Sequence, residues 1–189
     1  GIFKYFKMKK YLVIGNPIEH SLSPQLHNHW IKKNNINAVY DKKQLNESDI
    51  EEIITEVKNE KIHGINVTVP FKKSVIPFLD QLTPLAKETQ SVNTIYKENK
   101  NGVDVVVGAN TDVGGFKKSL EYINYNVKNK KVFILGAGGV VPSILKALEK
   151  LEAAKVYISN RTKEKAKDLE NHYKISLGLE TLDWGQSPD

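Results

Sequence analysis

The sequence predicts an α/β fold, with an N-terminal unit on a mostly parallel sheet followed by part of a Rossmann-like unit. Three observations predict it. Short β-branched runs alternate with stretches whose apolar residues recur at helical spacing, the pattern of strands crossing over through helices. A glycine turn at 136–139 joins a strand pattern to a helix pattern inside a βαβ stretch of about 30 residues. The composition is that of an ordinary folded chain: 189 residues, 40% hydrophobic, 26% charged and no cysteine.

Tyr11-Leu12-Val13-Ile14-Gly15 reads as a buried strand. A turn at Asn16-Pro17 follows, and Ser23-Pro24 then reads as an N-cap serine before a proline at the first helical position. Ser48 to Glu51 matches a capping box, and Ile50, Ile53, Ile54 and Val57 fall on one helical face. Ile62 to Val69 is rich in β-branched residues and ends at Pro70, which predicts another strand. Leu79 to Gln90 reads as helical in part. Val92 to Tyr96 and Val103 to Val107 read as strands joined across Asn99-Lys100-Asn101-Gly102, and Val113 to Ile123 as a helix. The second unit carries a strand from Val132 to Leu135, the glycine turn, a helix with Val140, Val141, Ile144, Leu145, Leu148 and Leu151, and a strand from Val156 to Ser159. Domain bounds of 9–110 and 111–189 follow. Met8 is the only methionine, so residues 1–8 are assigned to a tag or an upstream extension.

Zero cysteine excludes a disulfide scaffold, thiol catalysis and cysteine-ligated metal. No apolar run reaches the roughly 20 residues of a membrane-spanning helix, and the N-terminus has no signal-peptide core, so a cytoplasmic protein with no membrane partner is expected. The net charge of +6 comes from 28 basic and 22 acidic residues. Its lysines are spread along probable helix faces without interleaved aromatics, which disfavours a nucleic-acid groove. Only one of the 28 basic residues is an arginine, Arg161. The five histidines show no ligand spacing; no metal is expected, and they read as surface or packing residues.

Gly136-Ala137-Gly138-Gly139 follows a strand and opens a helix, where backbone N–H groups can approach a pyrophosphate. Val141 stands at the third glycine position of the dinucleotide fingerprint, so close packing of helix on strand must be achieved differently. At the end of the next strand a carboxylate would read a ribose 2′-hydroxyl; here the residues are Asn160-Arg161-Thr162. A guanidinium can pair bidentately with a 2′-phosphate and stack on adenine. In the first unit, Ser21 and Ser23 put two hydroxyls before a helix, able to hold a carboxylate or simply to cap. Asn66, Thr68 and Lys72 lie along and just beyond one strand. Asn93-Thr94 and Asn110-Thr111-Asp112 add polar groups near strand ends, where open α/β sheets bind ligands.

Taken together, the order and spacing of these runs resemble the shikimate dehydrogenase family: G-N-P-I-E-H-S-L-S-P at 15–24, N-V-T-V-P-F-K at 66–72, S-V-N-T-I at 91–95, N-T-D-V-G-G-F at 110–116, G-A-G-G at 136–139 and N-R-T at 160–162. The resemblance implies reversible NADPH-dependent reduction of 3-dehydroshikimate to shikimate, in the route to aromatic amino acids. It implies that Ser21 and Ser23 hold the substrate carboxylate, that Asn66, Thr68, Asn93 and Asp112 hold its hydroxyls, and that Lys72 and Asp112 are the catalytic pair. Gly136, Ala137, Gly138 and Gly139 would face the cofactor, with Asn160, Arg161, Thr162 and Lys165 on the NADP 2′-phosphate. The chemistry suits these roles. Hydride arriving at a carbonyl carbon leaves an alkoxide on oxygen, which an ammonium stabilises and protonates, while a neighbouring carboxylate orients the ammonium.

The family's cofactor domain extends beyond the residues matched here, so weak shikimate binding and little turnover are expected of these 189 residues alone. A monomer or homodimer is expected. A quinate or related hydroxy-acid dehydrogenase and a non-catalytic shikimate-binding module are the alternative readings.

Overall fold

The computed structural model describes residues 7–189, so most of the segment assigned to a tag or extension lies outside the described residues. Chain contacts separate two units, one ending at Asn110 and the other starting at Thr111. The first contains strands β1 (Lys9–Gly15), β2 (Ala38–Gln44), β3 (Gly64–Val67), β4 (Gln81–Leu82), β5 (Thr94–Lys100) and β6 (Val103–Ala109). Its helices are α1 (Ser23–Lys33), α2 (Ile50–Lys58) and α3 (Pro84–Thr89).

The sheet order is β2-β1-β3-β5-β6-β4. Parallel pairing of β1 with both β2 and β3 places the chain on either side of β1 in turn. That reversal opens a crevice beyond the carboxyl ends of the strands. The β5–β6 hairpin enters antiparallel, and β4 closes the edge parallel to β6. Asn101 and Gly102 at its turn have φ of 53° and 84°, the left-handed pair that a two-residue hairpin requires. Ile50, Ile53, Ile54 and Val57 of α2 are all buried, and they join Ile14, Ile65, Phe71, Val75 and Ile95 in one core.

Two helix starts differ from expectation. Helix α1 already includes Ser23, with Leu22 at the N-cap, and the Ser21 hydroxyl accepts the Ser23 N–H at 3.3 Å. Ser21 therefore does the work expected of Ser23. Before α2 the reciprocal contact is made by Asn46 and Asp49, two residues ahead of the Ser48–Glu51 box: Asp49 accepts the Asn46 N–H at 2.9 Å. A short 3₁₀ turn at Glu47–Asp49 takes up the positions expected to begin the helix.

The second unit contains α4 (Asp112–Tyr122), β7 (Lys131–Leu135), α5 (Val141–Lys150), β8 (Lys155–Ser159), α6 (Lys163–Leu177) and β9 (Glu180–Thr181). Its sheet is wholly parallel in the order β7-β8-β9. Leu145, Leu148, Val156, Ile158, Tyr173 and Leu177 form its core. Val141, at the missing third glycine, is itself buried in that core, so an apolar side chain fills the space between helix and strand.

Candidate active site

The carboxyl ends of β1 and β3 are tied together beyond the last ladder pair. Thr68 N–H donates to the Ile14 carbonyl at 2.9 Å, and Asn16 N–H to the Val69 carbonyl at 3.0 Å. A Cβ on Gly15 would lie 2.6 Å from Thr68 Cγ2 and 3.0 Å from the Val69 carbonyl oxygen, so only glycine admits this approach. A cavity of about 250 Å³ opens there, lined by Val13, Pro17, Ile18, His20, Ser21, Ser23 and Thr68. Three of the expected substrate residues thus share one pocket, with an apolar floor and hydroxyls at its wall. His20, read from sequence as a surface or packing residue, is part of that wall.

Asn66 stands on β3 beside Thr68. Its amide nitrogen faces the Asn93 carbonyl at 3.3 Å and the Thr94 hydroxyl at 3.4 Å, and its amide oxygen accepts the Tyr40 hydroxyl at 2.7 Å. Tyr40 is 5% exposed; burial pushes its phenol up to about 12, opposed by a hydrogen bond with Ser23. His27 stacks on the Tyr40 ring at 4.2 Å, and its burial lowers the imidazole from its ordinary value. The Asn28 side chain clamps the Tyr40 backbone, donating to its carbonyl at 2.7 Å and accepting its N–H at 2.9 Å. The sequence reading placed no strand at Ala38–Gln44 and so missed Tyr40.

Lys72 is half-buried in the turn after β3, where its carbonyl accepts the Val92 N–H at 2.8 Å. Asn93 joins the same turn region: its carbonyl accepts the Val67 N–H at 2.8 Å, and its side chain accepts the Thr94 hydroxyl at 3.2 Å. Asn110 is 7% exposed, and its amide donates to the Thr89 hydroxyl and the Ser91 carbonyl, which makes it a closing strut of the first unit. Asp112 opens α4 in the second unit.

In that second unit Gly136 has φ of 114°, a conformation that glycine adopts freely, and its N–H donates to the Ser159 carbonyl at 2.7 Å. A Cβ at Gly136 or Gly138 would meet nothing within 4 Å, so the turn leaves open space ahead of its backbone. Asn160 donates to the Thr162 carbonyl at 2.8 Å and shapes the turn after β8. Arg161 and Lys165 are exposed. The guanidinium lies over the Trp184 ring at 5.5 Å, a contact absent from the sequence reading because Trp184 stands in an irregular tail. Lys163, by contrast, is bound to Asp183. An open glycine turn with an exposed guanidinium at the neighbouring strand end fits the adenosine and pyrophosphate part of a phosphorylated dinucleotide. Among the described residues no group of histidine and acidic side chains could hold a metal ion. No helix of the described residues is long and apolar enough to cross a membrane.

Residues 13–95 match a family model described as the shikimate dehydrogenase substrate binding domain, and residues 118–183 one described as shikimate / quinate 5-dehydrogenase. The chain belongs to the shikimate dehydrogenase family. Shikimate dehydrogenase (NADP(+)) of Pelagibacter ubique is 55% identical over 181 residues, covering 96% of this chain and 66% of the relative. The enzyme of Aquifex aeolicus is 43% identical over 167 residues, covering 88% and 60%. The chain therefore spans less than two thirds of the length of these shikimate dehydrogenases. The crystal structure of the Aquifex aeolicus shikimate dehydrogenase superposes with a TM-score of 0.82 at 41% identity, over 94% of this chain and 63% of that one. The Thermus thermophilus shikimate 5-dehydrogenase, solved in complex with NADP(H) and shikimate, gives 0.78 at 28% identity, over 93% and 63%.

Proposed function

We propose that the chain carries the substrate unit and the adenosine-binding part of the cofactor unit of an NADPH-dependent dehydrogenase that reduces 3-dehydroshikimate reversibly to shikimate. The observation that carries this reading is the pocket at the ends of β1 and β3, where Ser21, Ser23 and Thr68 meet. Two hydroxyls at a helix start suit a carboxylate, and the polar residues of β3 suit ring hydroxyls. Asn66, Thr68, Asn93 and Asp112 are assigned to those hydroxyls. The Thermus relative's complex with shikimate and NADP(H) supports the same pairing of ligands.

NADPH, when bound, supplies the hydride. Lys72 holds its ammonium against the substrate oxygen on which negative charge develops, and gives it a proton; in the reverse direction it takes the proton back. Asp112 is assigned as the second member of the catalytic pair. The backbone of Gly136, Ala137, Gly138 and Gly139 receives the pyrophosphate. Arg161, with Asn160, Thr162 and Lys165, binds the 2′-phosphate through charge-assisted hydrogen bonds. The guanidinium lies over the Trp184 ring and is exposed, which suits a phosphate arriving from solvent. The test is NADPH consumption with 3-dehydroshikimate by the full-length gene product. Lys72→Ala is expected to lower kcat by about 10² to 10⁴ with a much smaller change in KM. Unchanged turnover in that variant, or consumption with quinate-derived substrate alone, contradicts the reading.

A further inference from the structure

Tyr40 belongs to none of the motifs, yet its hydroxyl donates to Asn66, a group assigned to the substrate. The directions of the hydrogen bonds around it are fixed by elementary chemistry. The Asn93 carbonyl can only accept, so the group of Asn66 that faces it is the amide nitrogen, and the amide oxygen must face Tyr40. An amide oxygen can only accept, so the phenol spends its single proton on Asn66 at 2.7 Å.

The phenol is also held in place. Asn28 clamps its backbone on both sides, His27 covers one ring face, and the side chain is 5% exposed. Ser23, His27 and Asn28 all come from α1, whereas Asn66 comes from β3. A buried tyrosine thus couples, through its ring, backbone and hydroxyl, the helix bearing one assigned carboxylate ligand to the strand bearing an assigned hydroxyl ligand. The bonds from the Asn66 nitrogen, at 3.3 and 3.4 Å, are long, so its hydrogens can be exchanged for a ligand oxygen at little cost. The bond to its oxygen is short, so the orientation of the amide is retained while the ligand comes and goes.

We propose that Tyr40 is a positioning residue of the substrate pocket: its hydroxyl fixes the Asn66 amide with the donor side toward the ligand, and it ties Asn66 to His27 and Asn28 of α1. This rests on the assignment of the pocket to shikimate.

The test is nuclear magnetic resonance on this chain, with and without shikimate. In the ligand-free wild type, the Tyr40 hydroxyl proton is expected to exchange slowly enough to be seen and to lie close to Asn66. Tyr40→Phe, which keeps the ring packed on His27, is expected to move the Asn66 side-chain amide signals. With shikimate added, it is expected to weaken binding about three- to tenfold, the worth of one ordinary hydrogen bond. Against an Asn66→Ala background the same change is expected to cost nothing further, because Tyr40 acts through Asn66. Unmoved Asn66 signals, or an equal loss in both backgrounds, overturn the proposal. Failure of the wild type to bind shikimate overturns the functional reading instead, and the ligand-free spectra then still decide the role of Tyr40.

Discussion

Gly15 shows how a single missing side chain assembles a pocket. Thr68 reaches the end of β1 only because no Cβ stands in its way, the hypothetical atom lying 2.6 Å from Thr68 Cγ2. Gly15→Ala forces Thr68 and the Val69 carbonyl outward. It is expected to cost about 1–3 kcal/mol of stability, as overpacking does, and to weaken shikimate binding; an unchanged urea midpoint contradicts this account. Tyr40 gives a pH dependence. Its phenol titrates at about 12 in the fold against an ordinary 10.0, so the unfolded chain loses the proton first. The stabilisation is therefore complete below pH 10 and is lost as pH rises from 10 toward 12. Ultraviolet titration is expected to show a late-ionising tyrosine signal that Tyr40→Phe removes, and Tyr40→Phe to lose stability less steeply in that window; ionisation of every tyrosine near pH 10 contradicts it. Residues of these two kinds differ in legibility. Arg161 stood out in the sequence as the lone exception to a lysine default, whereas the role of Tyr40 depends on what its hydroxyl meets across two elements, which no local pattern encodes.

At the scale of the element, periodicity read α2 and α5, because a buried stripe leaves its spacing in the chain: Ile50, Ile53, Ile54 and Val57 are all buried as that spacing required. It did not read α6, the longest helix of the described residues, which buries only Ala166, Tyr173 and Leu177. Helix starts were less legible. Two overlapping capping patterns precede α2, and the one that forms uses Asn46 and Asp49, because the intervening 3₁₀ turn satisfies the first N–H groups before the α-helix begins. Asp49→Ala is accordingly expected to cost about 0.5–2 kcal/mol, whereas Glu51→Ala changes stability by a few tenths; denaturant midpoints of the two variants check it, and the reverse ranking contradicts the cap. Strand order was the least legible feature. The β5–β6 hairpin was readable from Asn101-Gly102, but its antiparallel place between β3 and β4 is a long-range pairing that leaves no local signal.

At the scale of the whole molecule, each unit has its own core. In the first, the reversal of the chain about β1 puts Ser21, Ser23 and Thr68 around one cavity. In the second, the parallel β7-β8-β9 sheet brings the glycine turn beside the strand end that bears Arg161. The positive balance of +6 suits anionic small molecules. The family was legible because the polar groups of such a site sit in short runs at strand ends, in fixed order along the chain. Shikimate binding by the first unit is read from the backbone amide resonances of this chain as shikimate is added. Saturable shifts are expected at Ser21, Ser23, Asn66 and Thr68, and are expected to disappear in the Ser21→Ala, Ser23→Ala double variant; no shifts at high ligand concentration, or shifts that persist in the double variant, rule the site out.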